Sequence, residues 1–230
     1  MKLHCHQISL AYGETESAVF TDLDFTLDGP GFHALFGPSG VGKTTLARIV
    51  IQQMAPDAGR IESVPPERRL YSYNLERLPG WSSVGRHLDR VTPPARRERK
   101  DALAADFGLA PVLHQRFAQL SLGQKNRVNL VRYLVQDFDL LIMDESLANV
   151  DEATRERIIL RIKTLYPEKF FLYISHNVVE VARFCRRVLV LRGGRRRPQA
   201  LVVPGQDQHG AEPPDPADLQ RTMLEIMNAA

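Results

Sequence analysis

Gly37-Pro38-Ser39-Gly40-Val41-Gly42-Lys43-Thr44 follows the apolar run GFHALF (31–36) and leads through Thr45 into KTTLARIVIQQ (43–53). The spacing is G-x-x-x-x-G-K-[ST], set between a short buried strand and a helix, the context such a loop requires. Glycines permit a tight turn whose backbone N–H groups point inward. Those donors and the positive helix end hold phosphate oxygens. The cradle then comprises Gly37, Ser39, Gly40, Val41, Gly42 and Thr45. Lys43 reaches the β- and γ-phosphates of a nucleoside triphosphate, and the Thr44 hydroxyl ligates Mg²⁺.

Such a loop needs an acid at the end of an apolar strand. Leu140-Leu141-Ile142-Met143-Asp144-Glu145 supplies two, with Asp144 lying 101 residues after Lys43. Asp144 can hold the Mg²⁺ shell. Glu145 can face the attacking water as general base.

Working outward, residues 2–10 and 19–27 alternate apolar with polar, as edge-type antiparallel strands do. RLYSY (69–73) is a further strand candidate. From about 75 to 135 the apolar spacing becomes helical, divided by Pro93-Pro94 and Pro111, with Ser121 as N-cap of the last helix. Strand, helix, strand, helix and strand then follow: DLLIMD, 151–165, KFFLYIS, 178–184 and RRVLVLR. Alternation of this kind predicts an α/β fold with a mainly parallel sheet, an N-terminal antiparallel β part and an inserted helical subdomain. Residues 204–217 (PGQDQHGAEPPDPA) read as a linker, and 218–228 as a last short helix that covers the sheet, meets a partner or stays unfolded.

At 230 residues, 43% hydrophobic and 25% charged, the composition excludes wholesale disorder, collagen-like repeats and a disulfide scaffold. No run reaches the roughly 18–20 apolar residues that cross a bilayer. MKLHCHQISLAYGE lacks the apolar stretch of a signal peptide, and Cys5 and Cys185 are far apart, so a reduced cytosolic chain is expected. The net charge of +3 is uneven: residues 205–230 carry five acids and one base, a net of −4, which leaves +7 elsewhere. Residues 183–197 hold seven arginines and no acid, which suits an anionic partner or a solvated face. No nucleic-acid reader motif is present, so nucleic acid is not expected.

These motifs, in this order, resemble the ATPase subunits of ATP-binding cassette (ABC) transporters over about residues 2–200. Leu120-Ser121-Leu122-Gly123-Gln124 is similar to the family signature LSGGQ. Ser146 to Asp151 (SLANVD) sits where the family's D-loop sits, Asp151 lying six residues after Glu145. His176 in YISHN matches the switch histidine, and Tyr12 in LAYGE the aromatic that stacks on adenine. GPSGVGKTT and LPGW are most similar to nitrate/sulfonate/taurine-type importer ATPases.

The resemblance implies a P-loop NTPase core at 1–204, with the helical subdomain at about 75–135, followed by an appendage at 205–230. It implies ATP and Mg²⁺, with Glu145, His176 and Lys43 catalytic. Two chains would sandwich two ATP molecules head to tail, Ser121, Gly123, Gln124 and Asp151 of one meeting the phosphate loop of the other. A transmembrane permease and, for an importer, a substrate-binding protein complete the partners, with the ATPase peripheral on the cytoplasmic face of the membrane.

The sequence also departs from the family. Leu122 replaces the signature's first glycine, and Ser146 stands where a proline is usual. The Q-loop glutamine is absent: counting back from Pro79 reaches Tyr73, with Asn74 beside it as a candidate Mg²⁺ contact. Lys43 and Ser121 are only 78 residues apart, so a trimmed hairpin after Gly59 and a compact helical region are expected. Two other readings stay open: a nucleotide-gated assembly module with slow turnover, and a soluble ABC ATPase outside transport. Trp81 reads equally as core or as a contact with the membrane partner. His4-Cys5-His6 invites a metal reading, but Cys5 points away from both histidines on a strand, and no further ligand is evident from spacing.

Overall fold

The computed structural model describes residues 2–13, 18–74, 76–193 and 196–230. Side-chain alternation along its apolar strands decides the layering. The strands are β1 (Lys2–Leu10), β2 (Phe20–Asp28), β3 (Gly31–Phe36), β4 (Ala58–Glu62), β5 (Arg69–Tyr73), β6 (Leu140–Asp144), β7 (Phe170–Ile174), β8 (Arg187–Leu191) and β9 (Ala200–Pro204). One sheet runs β5-β6-β7-β3-β8-β9, parallel except for β9; the other is antiparallel, β2-β1-β4.

Leu140 and Ile142 of β6 face one core and Leu141 and Met143 the other, as a two-residue period demands. The first core lies between the parallel sheet, the small sheet and α1 (Lys43–Val50), whose Leu46, Ala47, Ile49 and Val50 are buried there. The second is covered by α2 (Val84–Val91), α3 (Arg97–Asp106), α4 (Leu122–Leu134), α5 (Glu152–Leu165), α6 (Val178–Phe184) and α7 (Pro216–Ala229). Helices α2, α3 and α4 lie in sequence between β5 and β6.

Several sequence expectations change. β1 is the central strand of the small sheet, because β4 pairs with its free side: Cys5 opposes Ile61 and His6 opposes Arg60. In place of a trimmed hairpin after Gly59 there is this single strand. The helix expected over 43–53 stops at Val50; Gln52 takes φ +60, and the Gln53 N–H returns to the Arg48 carbonyl at 2.8 Å. Trp81 is 76% exposed and belongs to neither core.

The tail packs onto the body. The Gly205 and Gln206 N–H groups donate to the Arg186 and Ala182 carbonyls, at 3.1 and 2.8 Å. Asp207 accepts from the buried Lys163 ammonium at 2.6 Å, so part of the tail's negative charge neutralises an interior cation. Asp215 caps α7, and Ile226 is fully buried, which contributes roughly 2 kcal/mol.

Candidate functional site

The strands that carry the loop, the two acids and His176 end at the same edge of the parallel sheet. The phosphate-type loop follows β3, the two acids close β6, and His176 follows β7, which lies between β6 and β3. Ligands of open α/β sheets bind at this carboxyl edge. A cavity of about 530 Å³ opens there, lined by Tyr12, Val19, Ser39, Gly40, Gly42, Lys43, Thr44, Thr45, Asp144, Glu145, Ile174 and His176.

The loop fits its place closely. At Gly37 (φ +148) an added Cβ would run into the Leu191 carbonyl of β8, so only glycine lets the loop press against the neighbouring strand. Lys43 opens α1 and is buried, its ammonium donating to the Gly37 and Pro38 carbonyls at 2.7 and 2.8 Å. Burial lowers its pKa below the ordinary lysine value; the Glu145 and Asp144 carboxylates oppose that shift.

Asp144 Oδ2 accepts from Thr44 Oγ1 at 3.1 Å and from the Tyr71 hydroxyl at 2.7 Å. Burial and this carboxylate push the Tyr71 hydroxyl well above its ordinary pKa, so it stays a donor. The hydroxyl–carboxylate pair is an all-oxygen donor set suited to a hard cation. Glu145 adopts φ +50, an uncommon conformation for a non-glycine residue. Its Oε1 lies 2.6 Å from His176 Nε2. Tyr12 lies at the mouth, its hydroxyl 2.9 Å from Thr45 Oγ1.

Ser121, Gly123, Gln124 and Asp151 do not line this cavity. Ser121 and Gln124 form a capping box on α4, Ser121 Oγ accepting from the Gln124 N–H at 3.2 Å and Gln124 Oε1 from the Ser121 N–H at 2.9 Å. Gly123 packs against the backbone at Asn149, where a Cβ would collide with the carbonyl. Asp151 caps α5 by accepting from the Thr154 N–H at 2.9 Å. Asn74 is also absent from the lining: its Oδ1 accepts from Asn126 Nδ2 at 2.9 Å, and the same amide donates to the Ala148 carbonyl at 2.7 Å. Ser146, standing for the usual proline, donates to the Ser72 carbonyl at 2.9 Å. Of the arginine run, Gly194 and Arg195 lie outside the described residues; Arg192 and Arg197 line a second cavity of about 530 Å³ on the other flank of the loop.

The sequence reading missed Tyr71 and the support beneath His176. Glu180 is buried and accepts from Tyr173 Oη at 2.8 Å, Ser175 Oγ at 3.0 Å, Asn177 Nδ2 at 3.2 Å and the Arg155 guanidinium. Arg155 also donates to the Val150 carbonyl at 3.0 Å, joining the histidine loop to the segment before α5. A glutamate four residues after His176, beside the buried Val181, Ala182 and Phe184 of a short helix, was the available signal. Glu180→Ala strands the guanidinium and two hydroxyls and is expected to cost about 3–5 kcal/mol. Denaturant unfolding checks this; a loss below about 1 kcal/mol would show that the network carries little.

The ABC transporter family model matches residues 20–148. The molybdenum import ATP-binding protein ModC of Brucella suis is 34% identical over 191 residues, 74% of this chain and 53% of the relative. ModC of Mesorhizobium japonicum is 38% identical over 183 residues, 70% and 50% of the two chains. The aliphatic sulfonates import ATP-binding protein SsuB of Burkholderia thailandensis is 34% identical over 198 residues, 82% and 58%. The chain thus spans about half the length of the curated relatives it matches. A solved bacterial Atm1-family ABC exporter with ATP bound shares the fold, with a TM-score of 0.76 at 21% identity over 99% of this chain and 41% of the exporter.

Proposed function

The chain belongs to the ABC transporter family, and we propose that it is the ATP-binding and ATP-hydrolysing subunit that energises a membrane importer. One observation carries this: the phosphate-type loop, the Thr44–Asp144 pair and the Glu145–His176 pair converge on a single cavity at the carboxyl edge of the sheet.

In this reading the loop amides and Lys43 hold the triphosphate, and Tyr12 covers the base. Thr44 and Asp144 would hold Mg²⁺, which when bound neutralises phosphate charge. Glu145 takes a proton from the attacking water, and His176 keeps that carboxylate aimed and meets the γ-phosphate. Ser121, Gly123, Gln124 and Asp151 act on the site of a second copy, a reading supported by their absence from the lining of their own cavity. Asn74 is a second-choice Mg²⁺ contact, since Asn126 already engages its amide oxygen.

No described helix is long and apolar enough to cross a membrane; the likeness to import ATP-binding proteins supports a permease as the membrane partner. A groove of about 370 Å³, lined by Leu78, Phe117, Ala118 and Leu122 together with Glu76, Arg77 and Lys125, includes Gly80 beside the exposed Trp81 and supports docking there. We assign the chain to the cytoplasmic face of the membrane as a peripheral homodimer, with a substrate-binding protein as a further partner. Residues 1–204 form the ATPase domain and 205–230 an appended segment.

The purified chain is expected to hydrolyse ATP with Mg²⁺, faster when reconstituted with its permease, as phosphate release measures. Tight ATP binding without turnover, even with the permease, would instead establish the nucleotide-gated assembly module, which the missing Q-loop glutamine favours.

A further inference from the structure

The outer face of the small sheet carries a cluster that the nucleotide site does not use. Alternation along β1 places His4 and His6 on that face, their ring centroids 3.4 Å apart. Cys5 between them is fully buried, its thiol directed to the Leu23 carbonyl at 3.6 Å and its pKa pushed up to about 12 by burial. It is no ligand. The further donors come from neighbouring strands. The β1–β2 pairing shifts register between Cys5 and Ile8, where Gln7 takes φ +46. At this irregularity Asp24 Oδ2 accepts from the Gln7 N–H at 3.3 Å, while Oδ1 lies 3.8 Å from His4 Nε2. From β4, Glu62 Oε2 lies 3.3 Å from His6 Nε2. That nitrogen is shielded from solvent and makes no well-aligned hydrogen bond.

We propose that His4, His6 and Asp24 form a binding site for a divalent transition-metal ion of the zinc class, with Glu62 as the adjacent fourth donor. One donor atom from each of the first three lies within 4.8 Å of the others. Small side-chain rotations on an open strand face close such a set onto one ion, whose bonds to imidazole and carboxylate are about 2.0–2.2 Å. Two imidazoles with carboxylates select a borderline-soft cation over Mg²⁺, which takes oxygen donors. Arg60 is the competing cation, bonded to Glu62 at 3.1 Å; it does not reach the histidines or Asp24 among the contacts described. None of the four donors lines the nucleotide cavity. A bound ion would join β1 to β2 and, through Glu62, to β4, clamping the sheet whose inner face builds the core over α1.

Calorimetric titration of the full chain with Zn²⁺ alone tests this. The wild type is expected to bind one ion and to melt at a higher temperature in its presence. His4→Gln/His6→Gln is expected to bind at least roughly 100-fold more weakly, and Asp24→Asn roughly tenfold. ATP binding by each variant certifies its fold; should the double variant fail that check, His6→Gln alone and Asp24→Asn decide. No Zn²⁺ binding by the wild type overturns the proposal. So does an isotherm unchanged in the folded variants, which would assign the ion elsewhere, the Glu145–His176 pair included.

Discussion

Glu145→Gln is expected to slow ATP hydrolysis by about a thousandfold while leaving ATP binding intact. The substitution keeps the side chain's length and shape, and the amide can still meet His176, whose Nε2 lies 2.6 Å from the carboxylate in the wild type. What it removes is the capacity to accept a proton from water. The groups assigned to the triphosphate are untouched: Lys43 keeps its Gly37 and Pro38 carbonyls, and Thr44 keeps Asp144. An ATP-loaded pair of chains should therefore accumulate, because the bridging charge is no longer destroyed. Size-exclusion chromatography with Mg²⁺ and ATP reads the dimer, and phosphate release reads the rate. Hydrolysis at the wild-type rate would remove Glu145 from the role of base.

The parts of this site that were legible in sequence are those whose chemistry is local. A loop of backbone donors needs its glycines and lysine in one short run, and Asp144 and Glu145 must follow an apolar strand to stand at its end. Each signal lies within about ten residues, where periodicity and spacing are readable. β4 and β9 were not legible. β4 (AGRIE) is largely exposed and carries one apolar branched residue; β9 follows an arginine-rich run and borders the Pro-rich stretch. For β4 the tertiary pairing with β1 makes the strand, tertiary context overriding weak propensity; β9 (ALVVP) has strand-forming residues but is too short, beside its proline and the arginine run, to stand out before it pairs with β8. Tyr71 was visible as a strand residue, but its bond to Asp144 spans 73 positions. The third donor near His4 and His6 was hidden for the same reason: Asp24 arrives from another strand, past an irregularity in the pairing. The signature segment shows a different limit. Its sequence suggests phosphate contact, yet in one chain α4 begins outside the cavity lining, so the proposed role of this segment rests on a second copy that one chain does not display.

Lys43→Ala is expected to act on the step before chemistry, lowering ATP affinity and taking hydrolysis down by about 10²–10³-fold or to background. The fold should survive, since alanine is the best helix former and α1 keeps Leu46, Ala47, Ile49 and Val50 in the core. The loss is one buried positive charge whose aliphatic stem is held by the loop and whose ammonium is directed by two carbonyls. With that charge gone, Asp144 and Glu145, whose carboxylates act on the Lys43 ammonium, lose one counter-charge beside the triphosphate, and like-charge repulsion adds to the lost attraction. Lys43→Arg should fail as well, because a planar guanidinium does not fit a space shaped for a compact ammonium that is only 7% exposed. Equilibrium binding of a fluorescent ATP analogue separates this variant from Glu145→Gln: both are inactive, but one is empty and the other loaded. If Lys43→Ala retained wild-type affinity and formed the ATP-dependent dimer, the lysine would serve the transition state alone. The loop amides at the start of α1 would then account for ground-state binding by themselves.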